Sequence, residues 1–204
     1  MFADYNYVDP VSPACSQTLI IVLTALGVQI DKGIGKCLLA GIITDTGGFK
    51  YEGVKAETFE FVADLLRSGV NVSEVYKKML QIKTKSHFEL EKLALNRLEF
   101  FMDGKIAFTY ITMEDEKNVN AEAGDHEGIV EIGRDIEGVE VSIFLHETEK
   151  GFKASLRSSE NANVSDICAI FGGGGHIRAA GCTIKLPLEQ AKEKIIDKTI
   201  DFLK

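Results

Sequence analysis

The stretch Phe171–Gly181, FGGGGHIRAAG, concentrates residue types that can bind phosphate. Because glycine has no Cβ, a run of glycines lets backbone N–H groups approach a ligand closely and adopts positive φ freely. Successive N–H groups turned to one side form an anion-binding concavity, and His176 adds a donor whose charge changes near neutral pH. A flexible linker is the alternative. The apolar residues at both ends of the run favour a rigid phosphate-binding loop.

Arg157 is a second candidate for phosphate binding. Val139–Leu145 and Gly151–Arg157 both alternate apolar and polar residues, which predicts two strands of a hairpin. The alternation places Ser155 and Arg157 together on the face opposite the core. An arginine at a strand end either stays solvated or binds a phosphate through two parallel hydrogen bonds, and the spacing alone leaves both alternatives open.

Asp45 is the candidate metal ligand. It follows an apolar helix and precedes Thr46, within the stretch GIITDTGGFKY. Most aspartates at such junctions are turn residues that bond their own backbone, whereas divalent cations take carboxylates presented by the rigid ends of elements. The rest of the sequence offers no obvious second ligand, so one carboxylate does not define a metal site.

The other residues with reactive side chains carry weaker signals. The triplet Asp125-His126-Glu127 has an acid–base composition, but adjacent residues point in different directions, so we do not expect it to act as a unit. His87 is interpreted as a surface residue. The cysteines are far apart and lie among apolar neighbours, which predicts buried free thiols in a reducing compartment: Cys15, Cys37, Cys168 and Cys182.

Periodicity predicts an α/β protein. Residues 1–16 have no regular pattern. Helices are expected at Gln17–Leu26 with Ser16 as N-cap, from Asp31 or Lys32 to Ile43, at Thr58–Ser68, after Ser73 as N-cap, and at Thr84–Phe101. The period then changes from 3.6 to 2, which predicts a strand at Lys105–Met113 and a short helix capped by Thr112 and Asp115. After this helix the sequence predicts a loop and helix over 123–133, the hairpin, a helix at Val164–Ile170, a strand at Cys182–Leu186 and a last helix after Pro187.

Composition limits the class of protein. The 204 residues are 45% hydrophobic, and the net charge of −8 argues against a protein that coats nucleic acid. A site for one nucleotide or one short oligonucleotide remains compatible with that charge. The acidic stretch 114–149 and the basic stretch 77–97 are interpreted as solvated faces. No apolar run is long enough to span a membrane and no signal peptide opens the chain, so a cytoplasmic location without membrane partners is expected.

These motifs together resemble a known family. SLRSS (155–159), a short helix and FGGGGHIRAAG resemble the DHHA1 domain of the DHH phosphoesterase superfamily, and GIITDTGGF resembles the last metal-binding motif of the DHH catalytic domain. Their order and spacing are similar to the bacterial nanoRNase/pAp phosphatase branch. The resemblance implies part of a DHH domain, mostly helical, over 1–83, a connecting helix over 84–101, and a DHHA1 domain with a mixed β-sheet flanked by helices over 102–204.

The resemblance also implies functional roles. In this family the DHH domain binds a pair of Mn²⁺ ions that activate water for attack on a phosphoester, while DHHA1 holds a nucleotide or short RNA. By resemblance, Asp45 would be a metal ligand, and Arg157, Gly173, Gly174, Gly175 and His176 would bind the substrate phosphate.

The earlier DHH motifs, which supply the other metal ligands, do not occur in this sequence. We therefore expect the C-terminal portion of a Mn²⁺-dependent enzyme that binds nucleotide but is inactive alone. A missing N-terminal DHH half or a homodimer would be its protein partner. The alternatives are a non-catalytic module for single-stranded RNA, similar to the related domain of alanyl-tRNA synthetases, a cyclic-dinucleotide phosphodiesterase, or a purely structural role.

Overall fold

The computed structural model describes residues 4–51 and 53–204. These residues divide into two compact units, with the boundary between Ile82 and Lys83. The predicted irregular start is found in residues 4–14. Residues 1–3 of the chain and Glu52 lie outside the described part. No helix in the described ranges has the length and apolar content needed to cross a bilayer.

The first unit is helical. It contains α1 (Cys15–Ala25), α2 (Lys32–Asp45), α3 (Ala56–Arg67), α4 (Val72–Tyr76) and a π-helical turn (Lys77–Gln81). Its core is built mainly from the apolar faces of α2 and α3, with Leu39, Ile42 and Ile43 completely buried. Each such side chain contributes about 1.5–3 kcal/mol by leaving water.

Two predicted helix caps in this unit are wrong. Ser16 lies inside α1, whose N-cap is Ala14, and Ser16 Oγ instead faces Gly41, where α1 and α2 approach each other closely. Asn71, not Ser73, caps α4 by accepting a hydrogen bond from the N–H of Glu74. A side chain caps a helix only from the residue just before the first turn. At α1 that residue is Ala14, which makes no side-chain cap, and α4 begins two residues earlier than a cap at Ser73 requires.

The second unit is a mixed α/β domain, as predicted. Its strands are β1 (Glu99–Phe101), β2 (Ile106–Ile111), β3 (Val141–Thr148), β4 (Gly151–Ser158), β5 (Gly174–His176) and β6 (Ala179–Ile184). Its helices are α5 (Lys85–Asn96), α6 (Met113–Asn118), α7 (Ile129–Arg134), α8 (Val164–Ile170) and α9 (Leu188–Leu203). The strand order is β1-β2-β3-β4-β6-β5, with β2 and β3 parallel and the other pairs antiparallel.

Helices cover the two faces of this sheet unequally. One face carries the larger core and packs against α8 and α9, with Phe108, Ile143 and Leu156 completely buried. The other face packs against α5 and α7 mainly near β2 and β3, through Phe144 and its neighbours, and α7 also reaches Arg157 on β4 through Glu131. Over β4, β6 and β5 that second face carries only exposed or half-buried side chains. We call this region the open face; it consists of the outward residues of β4, β6 and β5.

Several sequence predictions need correction here. The helix expected to reach Phe101 ends at Asn96, because the Glu99–Phe101 segment pairs with β2 as an edge strand. The cap and capping box at Thr112 are confirmed. His87 is buried with its ring nitrogen 3.4 Å from Glu91, so the surface prediction is wrong. Of the four cysteines, Cys168 and Cys182 are buried free thiols, whereas Cys15 and Cys37 are exposed on helix surfaces.

Candidate phosphate-binding face

The glycine-rich segment is not a free loop. Gly174–His176 form β5, which pairs with the start of β6 at the edge of the sheet. The strand at the end of the segment was predicted to begin at Cys182, and it begins at Ala179. The glycines allow this return because a Cβ on Gly173 would lie 2.2 Å from the carbonyl oxygen of Gly181. The segment therefore turns back on β6 in a fixed conformation.

Part of the expected anion concavity is occupied by the chain itself. The N–H groups of Gly172 and Gly173 donate to the carbonyls of Ala169 and Cys168, which ends α8. The carbonyl of Gly175 accepts a hydrogen bond from the hydroxyl of Ser165. The N–H of Gly173 is therefore used within the chain, and the binding of phosphate by Gly173 stays a prediction. Its lack of a side chain lets the segment approach β6 closely.

The β-ladders bring Arg157 and His176 to one face. Arg157 is paired with Ala179 across β4 and β6, and His176 is paired with Ala179 across β6 and β5. Directly opposed residues in neighbouring strands project to the same face of a sheet. With strands about 4.8 Å apart, the two backbone positions are about 10 Å from each other. Both residues therefore stand on the open face, one on either side of Ala179, and we call the space above Ala179 between them the groove.

The floor of that groove has almost no side chains. The next row of the ladder on the same face consists of Ser155, Gly181 and Gly174. Together with Ala179, these residues leave the backbone of β6 and β5 accessible between the arginine and the histidine. Such a floor lets a ligand approach the sheet closely.

Arg157 is held in place by a carboxylate that the sequence analysis did not identify. Its Nε donates to Oε1 of Glu131 on α7 at 2.9 Å, and Nη1 donates to the carbonyl of Leu156 at 3.1 Å. Oε2 of Glu131 lies 2.6 Å from Nη1 of Arg134. The guanidinium is therefore oriented by these hydrogen bonds, and the side chains of the pair remain about one-quarter exposed. Nothing in the sequence marked Glu131, because the crossover that brings α7 over β4 is a tertiary feature.

The loop after β4 is also fixed by hydrogen bonds. The hydroxyl of Ser158 donates to the carbonyl of Ala162 at 2.7 Å, and Nη1 of Arg178 donates to the same carbonyl at 3.0 Å. The N–H of Ser158 donates to the carbonyl of Arg178, which ties the SLRSS segment to the segment after His176. The two sequence motifs are therefore parts of one structure.

Asp45 lies in the other unit. It is the last residue of α2, and its side chain is exposed to solvent. Within the described residues it belongs to no group of three side chains that could hold a metal ion. The described residues around Asp45 therefore do not fit a complete manganese centre.

Comparison with known proteins identifies the family of this chain. The profile of the DHHA1 domain matches residues 103–204. The chain belongs to the DHHA1 family. Its relatives place it, more narrowly, in the nanoRNase branch of the DHH/DHHA1 superfamily.

Two relatives and one solved structure illustrate the similarity. A bifunctional oligoribonuclease and PAP phosphatase of Thermus thermophilus is 32% identical over 96% of this chain and 59% of its own length. A protein of Streptococcus mutans described as a probable enzyme of the same kind is 24% identical over 88% and 57% of the two chains. An exopolyphosphatase-related protein from Bacteroides fragilis superposes with a TM-score of 0.92 at 27% identity, covering 98% of this DHHA1 chain and 60% of that one. The chain thus spans about three-fifths of the length of these relatives.

Proposed function

We propose that this chain is the C-terminal portion of a manganese-dependent DHH/DHHA1 phosphoesterase that acts on short oligoribonucleotides or on 3'-phosphoadenosine 5'-phosphate (pAp). In this proposal the substrate phosphate binds in the groove between Arg157 and His176. The observation that carries the proposal is that both side chains flank Ala179 on the same open face. The names of the curated relatives support the substrate class.

Each residue of the groove contributes to phosphate binding in a different way. The guanidinium of Arg157 presents its outer N–H groups to two phosphate oxygens, and Glu131 keeps it from reorienting. His176 donates one hydrogen bond from the opposite side. Gly174 and Gly175 carry no side chain that would block the ligand from reaching the edge strand. This preorganisation limits the entropy lost when the phosphate is immobilised.

The chemical step needs groups beyond this groove. When bound, a pair of Mn²⁺ ions would activate the attacking water and neutralise charge on the phosphoryl oxygens. Because Asp45 stands without two further candidate ligands among the described residues, we propose that a DHH half supplies the others. The isolated chain is therefore expected to bind nucleotide with little or no turnover. A cytoplasmic location and a homodimer stay predictions.

Calorimetric titration tests the binding proposal. We expect pAp and a diribonucleotide to bind the purified chain, and Arg157→Ala to weaken binding about 10–100-fold, because charge-assisted hydrogen bonds contribute about 1.5–3 kcal/mol. Lys153→Ala is the matched control, since Lys153 is on the same strand and face as Arg157 but opposite Thr183. Equal affinities for wild type and Arg157→Ala would refute the phosphate groove.

Hydrolysis assays test the proposal that the isolated chain has little or no turnover. Incubation of the chain with pAp or a diribonucleotide and Mn²⁺ is expected to give turnover at the background level. Turnover comparable with a complete enzyme would show that the chain itself holds a functional metal centre. Preferential retention of tRNA over pAp in filter binding would instead favour the non-catalytic RNA-binding module.

A further inference from the structure

Three polar side chains converge at a second place in the DHHA1 domain. Glu116 comes from α6, His126 from the turn before α7, and His146 from β3. One potential ligand atom from each lies within 4.8 Å of the other two. His146 lies on the same sheet face as Ser142, the residue paired with Arg157. It is four residues further along β3, so the cluster is separate from the groove beside Arg157.

The two distances from Glu116 within the cluster match those between ligands of one metal ion. Oε1 of Glu116 lies 3.2 Å from Nδ1 of His126 and 3.0 Å from Nε2 of His146. Ligands placed tetrahedrally about 2.0–2.1 Å from Zn²⁺ are separated by about 3.3 Å. These two separations therefore fit such a coordination shell. After rotation of one ring, the three groups can occupy three corners of the shell, which leaves the fourth for water.

The hydrogen bonding of the cluster is incomplete. Nε2 of His146 is buried and has no hydrogen-bond partner among the described residues, although Oε1 of Glu116 is only 3.0 Å away. Each imidazole can turn one N–H toward this oxygen, or one metal ion can hold all three groups. Because Nε2 of His146 makes no hydrogen bond within the described residues, it is available to coordinate an ion.

The orientation of the two rings sets one condition for binding. The rings are stacked with centroids 3.8 Å apart and planes 24° from parallel. Coordination therefore needs one ring to rotate, and His126, in a turn and about one-quarter exposed, has that freedom.

We propose that Glu116, His126 and His146 form a binding site for a transition-metal ion of the Zn²⁺ class. Two imidazoles and one carboxylate favour such ions over Mg²⁺, which prefers oxygen ligands. The ion would link α6, the turn before α7 and β3. The site is independent of the proposed phosphate groove and of Asp45.

Cobalt provides a direct probe. The tag-free chain is stripped with a chelator and titrated with Co²⁺, then with Zn²⁺ in competition. We expect one equivalent of Co²⁺ to give visible d–d absorption that Zn²⁺ removes, and Zn²⁺ to raise the melting temperature. Glu116→Gln and His126→Gln should each weaken Zn²⁺ binding by more than about tenfold, since loss of a direct ligand exceeds the typical cost of losing an outer partner.

Matched variants exclude other metal-binding groups. Cys15→Ser/Cys37→Ser removes the exposed thiols, and Asp45→Asn removes the predicted manganese ligand. His176→Gln removes the exposed histidine of the groove. All three are expected to bind Zn²⁺ within about twofold of wild type. Absence of Co²⁺ absorption, or unchanged affinity in folded Glu116→Gln and His126→Gln as judged by circular dichroism, would overturn the proposal.

Discussion

Arg157 and His176 are each paired with Ala179, one from either side of β6. A strand residue has only two lateral neighbours, so both positions beside Ala179 are taken by side chains that can bind an anion. The residue between them is small, which leaves space above it. This relationship, rather than the glycine run alone, defines the candidate phosphate groove.

Filling that space is expected to block binding without removing a binding group. Ala179→Leu places a branched side chain between Arg157 and His176, and Ala179 is only half-buried, so the fold should accept it. We expect the affinity for pAp to fall at least about tenfold, a loss of about 1.4 kcal/mol. Calorimetric titration measures the change. Thr183→Leu is the control, because Thr183 is exposed on the same face of β6 but opposite Lys153.

The negative charge of Glu131 is expected to limit the affinity of the groove for a phosphate. Glu131→Gln keeps an oxygen that can accept the Nε hydrogen bond of Arg157 while removing the negative charge. Since partly exposed ion pairs are worth about 0.3–1 kcal/mol, we expect about two- to fivefold tighter binding of pAp. The gain should shrink at high salt. Weaker binding at every salt concentration would mean that orientation by the charged carboxylate matters more than neutralisation.

Neighbouring glycines in the segment are expected to respond differently to alanine. A Cβ at Gly173 would lie 2.2 Å from the carbonyl oxygen of Gly181 and 2.5 Å from the Cβ of Cys182, whereas a Cβ at Gly174 meets nothing within 4 Å. Gly173→Ala should therefore destabilise the domain by about 1–3 kcal/mol, and Gly174→Ala by less than about 0.5 kcal/mol. Urea unfolding of both variants checks this contrast.

The sequence predicted the local features of the candidate site better than its tertiary ones. Alternation in β3 and β4 correctly predicted the hairpin and the outward face of Arg157, because side-chain direction in a strand has a period of two. The glycine run concealed β5, since three residues without side-chain periodicity carry no strand signal. Glu131 and the cluster around His146 were not predicted, because residues far apart in sequence meet only after the crossover between β2 and β3 has formed.

Asp115 is expected to make the stability of the DHHA1 domain depend on pH below about 4. Its carboxylate accepts hydrogen bonds from Nη2 of Arg97 at 2.9 Å and from the N–H of Thr112 at 2.8 Å. Burial raises the pKa of Asp115, but the hydrogen bonds from Arg97 and Thr112 outweigh burial and lower the pKa to about 2. The unfolded chain, with an ordinary pKa of about 3.9, therefore takes up the proton first as the pH falls.

The interaction of Asp115 thus stabilises the fold fully above pH about 4, and its contribution of about 2 kcal/mol is lost as the pH falls toward 2. Asp115→Asn should lower stability at neutral pH and flatten the profile between these limits. Hydrogen exchange of amides in β2 and β3, measured as a function of pH, reports the domain separately from the first unit. Asp197→Asn, at an exposed position on α9, is the control and should keep the wild-type profile. An unchanged slope in Asp115→Asn would mean that other carboxylates cause the acid sensitivity.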